Sequence, residues 1–208
     1  MVGCATERVR STTAADLRVA AAVLAAGGST RLGQPKQLAR YQGNTLLARA
    51  VSAAVAAGCK PVLAIIGADA PRMRKELHGL AVEVVENAEW REGMSTSIRA
   101  ALDALAEREV DALLFLTCDQ PHVTAGLLRT LVDTMRSSSG CHAVACSYAG
   151  GVGVPALFRR ELHGELRALV GDRGARAVLE RHRDRVAEVP FPLGAVDVDS
   201  AEDLDTLE

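Results

Sequence analysis

Aromatic side chains are scarce in this chain, with three Phe, two Tyr and one Trp making up 3% of 208 residues. Few rings remain to stack on successive bases of a single-stranded nucleic acid. A formal net charge of -2 leaves no excess of basic residues for general nucleic-acid binding, so any anion site must be local. No CxxC pair occurs among Cys4, Cys59, Cys118, Cys141 and Cys146, and the five histidines are scattered, which argues against zinc. No apolar run is long enough to span a bilayer, and no secretory signal pattern opens the chain. Together with an odd cysteine count, these absences predict buried structural thiols in a reducing cytoplasm, with neither membrane nor nucleic acid as partner.

What the chain has is apolar mass: 49% hydrophobic residues and 18 glycines suffice for one sizeable core. We expect a polar leader over residues 1–17 and a single domain over residues 18–208. Short apolar runs stand at 19–26, 62–66, 82–86, 112–116 and 142–146. Amphipathic stretches lie between them, such as TLLARAVSAAVAAG at 45–58, whose apolar residues recur at helical spacing and whose Gly58 supplies a stop. This βαβ alternation predicts an α/β fold with a mostly parallel sheet, helices on both faces, and a ligand crevice at the carboxyl ends of the strands. SSSG at 137–140 and YAGGVGVP at 148–155 read as loops. Beyond residue 156 the pattern predicts a helix, a GDRGAR turn, a second helix near 174–182, a short strand near 185–190 and a final acidic helix.

The run VAAAVLAA ends in Gly27 and Gly28, and the following turn carries Arg31 and Lys36. Glycines allow backbone N–H groups to approach an anion closely, a guanidinium binds phosphate through two donors, and an ammonium acts as a mobile point charge. The pattern is neither GxxxxGK[ST] nor GxGxxG, because Gln37 follows Lys36 and the first two glycines are adjacent. By composition alone it could equally be a strand-to-loop turn with solvated charges.

The full motif LAAGGSTRLGQPK resembles the signature of nucleotidyltransferases with a Rossmann-like fold, the MobA-like NTP transferase family. That group includes molybdenum cofactor cytidylyl- and guanylyltransferases and methylerythritol phosphate cytidylyltransferase. The resemblance runs from Val19 to Leu207. It implies transfer of a nucleotidyl group, CMP in the first instance, from a nucleoside triphosphate to a phosphorylated acceptor of molybdopterin type, with release of pyrophosphate. Leu24, Ala25, Ala26, Gly27, Gly28, Ser29, Arg31 and Lys36 would then cradle the triphosphate, with Arg31, Lys36 and Asp119 as the catalytic set.

Asp119 follows the run ALLFL in TCDQP. An aspartate before a proline is often a turn or cap residue, but DxP at this place resembles the family's metal-binding element. Near the end, SAEDL resembles the family's capping element, and the aspartate just before it, Asp199, matches the second metal ligand, with Asp197 as the alternative. Mg²⁺ suits one or two carboxylates plus substrate phosphates. EGMSTSIRA resembles the loop that surrounds the base in the cytidylyltransferase branch, which makes Asn87, Gly93, Met94, Ser95 and Ser97 candidate base contacts; serine caps are the structural alternative. GVGVPALF and LVGDRGARAVL resemble two segments of the family and are expected to face the acceptor, through Gly153, Pro155 and Arg176. Val154 stands where the family commonly has histidine. A molybdoenzyme or its chaperone is the implied protein partner. CTP, GTP and the methylerythritol acceptor remain alternatives at this level.

Overall fold

A computed structural model describes residues 17–28, 35–198 and 203. Ser29, Arg31 and Asp199, the final helix apart from Asp203, and all of the expected leader except Leu17 lie outside the described residues.

The first apolar run forms strand β1 (Val19–Ala25), buried along its whole length. It is continuous in hydrophobicity because both of its faces are covered. Parallel neighbours flank it: β4 (Val62–Ile66) on one side and β6 (Ala112–Thr117) on the other, with β5 (Glu83–Glu86) beyond β4 at the edge. Past β6 come β8 (Gly151–Arg159), β7 (Ala143–Tyr148) and β9 (Val186–Pro190), so the order is β5-β4-β1-β6-β8-β7-β9. Only β8 runs against the rest of this sheet. A two-stranded ribbon, β2 (Arg40–Tyr41) with β3 (Asn44–Thr45), precedes the first helix.

Alternation along β1 divides the core in two. Val19, Ala21 and Val23 pack with Leu47 and Val51 of α1 (Leu46–Ala56), Met73 of α2 (Ala70–Glu76), and Leu128 and Leu131 of α4 (Ala125–Ser137). Ala20, Ala22 and Leu24 face Ile98 and Leu102 of α3 (Met94–Ala104), Leu166 of α5 (His163–Arg167) and Leu179 of α6 (Arg176–Arg181). Each leucine or isoleucine so buried contributes about 1.5–3 kcal/mol. Helix α1 starts where Thr45 Oγ1 accepts from Ala48 N at 3.3 Å, and the chain leaves it at Gly58 with φ +87°, as the stop signal predicts.

Two loop expectations change. Ser137 closes α4, so the connection begins one residue later. More substantially, 148–155 is the β7–β8 hairpin, with only Ala149 and Gly150 turning, at φ +48° and +74°. Its glycines and proline mimic loop composition for a tertiary reason. A Cβ on Gly153 would stand 3.0 Å from Tyr148 Cζ, and the register slips between Ala145 and Cys146, a bulge that accommodates Pro155.

Cys59, Cys118, Cys141 and Cys146 are free and buried, in line with structural thiols. Among the described residues no helix is long and apolar enough to cross a membrane.

Candidate functional site

The carboxyl ends of β1, β4, β5 and β6 point the same way, and the chemistry-bearing motifs follow those ends. After β1, Gly27 and Gly28 are held from behind by Gln37, a buried amide in the 3-10 turn Lys36–Leu38. Its Nε2 donates to the carbonyls of Ala25 at 3.1 Å and Gly27 at 2.6 Å. The neighbouring Lys36 reaches across the sheet edge, with Nζ 2.7 Å from Asp119 Oδ2. Both side chains are about four-fifths buried, at 23% and 21% exposure. Asp119 is therefore no helix cap: Thr124 caps α4, its Oγ1 accepting from Leu127 N.

Around Asp119 the loop is fixed by backbone and amide bonds. Its carbonyl accepts from Val198 N at 2.9 Å, which brings the segment leading to Asp199 against it. Gln120 donates to the Gly194 carbonyl at 3.0 Å, and Arg49 donates to the Pro121 carbonyl at 3.2 Å. Burial pushes the Cys118 thiol up to about 12, with the Asp119 carboxylate adding to the effect and Lys36 opposing it. That thiol stays protonated at neutral pH and is not a nucleophile.

The donor set suits a hard cation. Asp119, a carboxylate 21% exposed at a strand end, is of the kind that Mg²⁺ takes from protein, one or two at a time; Asp199 lies outside the described residues. Among the described residues no cluster of three His, Cys, Asp or Glu side chains could hold a metal ion by itself.

Beyond β5 the loop enters α3 through Gly93, whose φ is +110°. Asn87, 5% exposed, is consumed by the loop itself: Nδ2 donates to Thr96 Oγ1 at 2.8 Å and Ser97 Oγ at 3.1 Å, while Oδ1 accepts from Glu89 N at 3.0 Å. Ser95 is fully buried. No side chain caps α3; Thr96 Oγ1 instead donates back to the Gly93 carbonyl at 2.8 Å.

An open cleft of about 580 Å³ is lined jointly by the end of β1 and the loop entering α3. Leu24, Ala26, Gly27 and Gly28 line it together with Trp90, Arg91, Gly93, Met94, Ser97 and Asp172, while Lys36 and Asp119 stand outside this lining. The structure thus brings Gly93, Met94 and Ser97 to the space beside the glycine turn, and places Asn87 and Ser95 in the buried framework behind it. Trp90, Arg91 and Asp172 were not selected from sequence. The chain's single tryptophan, set between Glu89 and Arg91 just before Gly93, was the available signal.

Of the residues expected to face an acceptor, Gly153 and Pro155 are buried within β8. Arg176 is exposed at the start of α6, with Nε 3.0 Å from Glu180 Oε1.

A family model described as MobA-like NTP transferase domain matches residues 21–186. The chain belongs to the MobA-like NTP transferase family. The match takes in the glycine turn, the cleft loop, Asp119 and the GDRGAR segment. Rv0371c of Mycobacterium tuberculosis H37Rv has a similar structure, with a TM-score of 0.75 and 34% identity, covering 91% of this chain and 97% of that one. Nicotine blue oxidoreductase of Paenarthrobacter nicotinovorans is 30% identical over 200 residues, 91% of this chain and 93% of that protein. A 2-C-methyl-D-erythritol 4-phosphate cytidylyltransferase of Cereibacter sphaeroides is 32% identical over 127 residues, 60% of this chain and 56% of the enzyme. The family is one of nucleotidyltransferases, and the parallel sheet of this MobA-like chain is the fold of its structural neighbours.

Proposed function

We propose that the chain transfers CMP from CTP to a phosphorylated acceptor of molybdopterin type. The reading is carried by one arrangement: the glycine turn and the loop of Gly93, Met94 and Ser97 line a single cleft, with Lys36 and Asp119 paired on the same sheet edge. An acceptor phosphate oxygen forms a bond to the α-phosphorus, the bond to the bridging oxygen breaks, and pyrophosphate leaves with that electron pair. The chain supplies position and charge; no covalent enzyme intermediate is required.

Backbone N–H groups from Ala26 to Ser29 orient the triphosphate. Arg31 and Lys36 neutralise it and the departing pyrophosphate. Asp119 and Asp199 hold Mg²⁺, which when bound neutralises phosphate charge. Rv0371c of Mycobacterium tuberculosis has been solved in complex with manganese (TM-score 0.72, 32% identity, 91% of this chain and 97% of that one), which supports the use of a divalent ion. Gly93, Met94 and Ser97 contribute to base choice, and Arg176 meets the acceptor. A single domain over residues 18–208, working in a reducing cytoplasm and passing its product to a molybdoenzyme or its chaperone, completes the reading.

The test is to incubate the full chain with each nucleoside triphosphate and Mg²⁺, with molybdopterin or methylerythritol phosphate as acceptor, and to measure pyrophosphate, with a parallel assay for oxidation of a reduced nicotinamide cofactor. Release with CTP is expected. Release with GTP alone makes the chain a guanylyltransferase, and release only with methylerythritol phosphate as acceptor moves it to that branch. No release with any pairing favours a non-catalytic nucleotide-binding module. A second reading comes from the relative named as an oxidoreductase, which matches over nearly the whole chain. Oxidation of a reduced nicotinamide cofactor, without pyrophosphate release, would favour it.

A further inference from the structure

We infer that Asp172 and Arg91 read the edge of the nucleotide base, and that they select cytosine over uracil. The inference rests on the proposal that the cleft takes a nucleoside triphosphate. From sequence, the GDRGAR segment belonged with the acceptor; the fold fastens it to the other substrate's cleft. Ser95 N donates to the Gly171 carbonyl at 3.0 Å, and Arg99 Nη1 donates to the Leu169 carbonyl at 2.8 Å. Gly93 lies so close beneath this turn that an added Cβ would stand 2.7 Å from Asp172 N. The turn is thereby pinned to the start of α3, and Asp172 lines the same cleft as the glycine turn.

Asp172 is exposed, and among the described residues its carboxylate has neither an ion pair nor a side-chain hydrogen bond. Arg91 lines the same cleft, its guanidinium carbon 4.3 Å from the centre of the Trp90 ring, a geometry of cation–π attraction. The cleft therefore offers one acceptor-only group and one donor-only group. Cytosine presents an amino group beside two acceptors, the ring nitrogen and the carbonyl, so carboxylate and guanidinium complement it directly. Uracil puts a carbonyl where cytosine has the amino group, and beside a carboxylate that carbonyl is repelled.

Adenine and guanine also carry an amino group and acceptors that suit this pair, so the discrimination it makes is against uracil. The Trp90 ring packs over the ends of β1 and β4: a Cβ on Gly28 would meet Trp90 Cη2 at 3.0 Å, and one on Gly67 would meet Trp90 Cδ1 at 2.9 Å.

Trp90 is the chain's single tryptophan, so its fluorescence reports binding without turnover. Wild type and Asp172→Asn are titrated with CTP, UTP and GTP in Mg²⁺, with calorimetry as a second readout. The wild type is expected to bind CTP at least about tenfold more tightly than UTP. Asp172→Asn replaces an acceptor with an amide that can both donate and accept, so its preference for CTP over UTP should fall to within about threefold. Unchanged discrimination in that variant, or equal wild-type affinity for CTP and UTP, would overturn the base assignment while leaving the nucleotide cleft standing. No heat and no fluorescence change with any nucleotide would remove the nucleotide reading together with this one.

Discussion

Lys36 Nζ stands 2.7 Å from Asp119 Oδ2, joining residues 83 positions apart into one ion pair at the edge of the sheet. The glycine turn and the strand end beyond β6 are therefore electrostatically one unit. Each partner holds the other where a triphosphate and its counter-ion would compete for them. An approaching phosphate can take the ammonium from the carboxylate, and the released carboxylate becomes available to a cation.

That exchange predicts the behaviour of the pair. Asp119→Asn should slow pyrophosphate release by about 2 to 4 kcal/mol of transition-state stabilisation, the scale of losing one preorganised electrostatic group. Lys36→Ala should also slow turnover, and the double variant should cost less than the sum of the two, because the residues act together. Wild-type turnover by Asp119→Asn at saturating Mg²⁺ would remove the carboxylate from the mechanism. A change confined to KM in Lys36→Ala would make the lysine a binding group only.

Gln37 is the quieter half of the same 3-10 turn. Its amide, 2% exposed, ties the carbonyls of Ala25 and Gly27 to the segment that bears Lys36. Gln37→Leu leaves both carbonyls short of a donor and should cost about 1–3 kcal/mol in urea denaturation. It should also raise the KM for nucleotide, since the glycine turn loses its support. Unaltered stability with unaltered KM would show that the turn is held by other bonds.

Gly93 makes a sharper steric prediction. At φ +110°, with backbone of the GDRGAR turn against the position of a Cβ, Gly93→Ala must displace either that turn or the start of α3. A loss of about 1–3 kcal/mol is expected in thermal or urea unfolding. Gly174→Ala is the control in the same neighbourhood, because its nearest contact would be Met94 Cγ at an ordinary 3.7 Å. It should stay within about 0.5 kcal/mol of wild type. Equal effects at the two sites would contradict the packing of Gly93 beneath Gly171.

The parallel part of the fold was legible because β1, β4 and β6 are covered on both faces and so are written as unbroken apolar runs. Asp119 was legible as a motif residue just after such a strand, and Lys36 as the basic residue that closes the glycine motif following β1. The β7–β8 hairpin was not, because Gly153 and Pro155 answer to Tyr148 and a bulge rather than to a turn. Ser95 and Ser97 share a motif but stand two positions apart on a helix, and such neighbours face different ways. One is buried in the framework while the other lines the cleft. Asp172 reaches the cleft only through contacts between distant segments, which local pattern does not carry.

His163 supplies a test of stability against pH, away from the cleft. Burial, reinforced by Arg160 and Arg167 and opposed by its hydrogen bond to the Phe158 carbonyl, pushes its pKa down from 6.5 to about 4. Because the imidazole stays neutral in the folded chain while the unfolded chain protonates near 6.5, the unfolded state binds more protons between these values. Its contribution is complete above about pH 6.5 and is lost as the pH falls toward 4. In urea denaturation from pH 7.5 to 4.5, wild type should lose stability more steeply than His163→Gln, which has no group to titrate there. The two curves should draw together toward acid. Parallel curves would mean that His163 protonates near its ordinary pKa in the folded chain, and that its surroundings are wetter than the packing against Phe158 indicates.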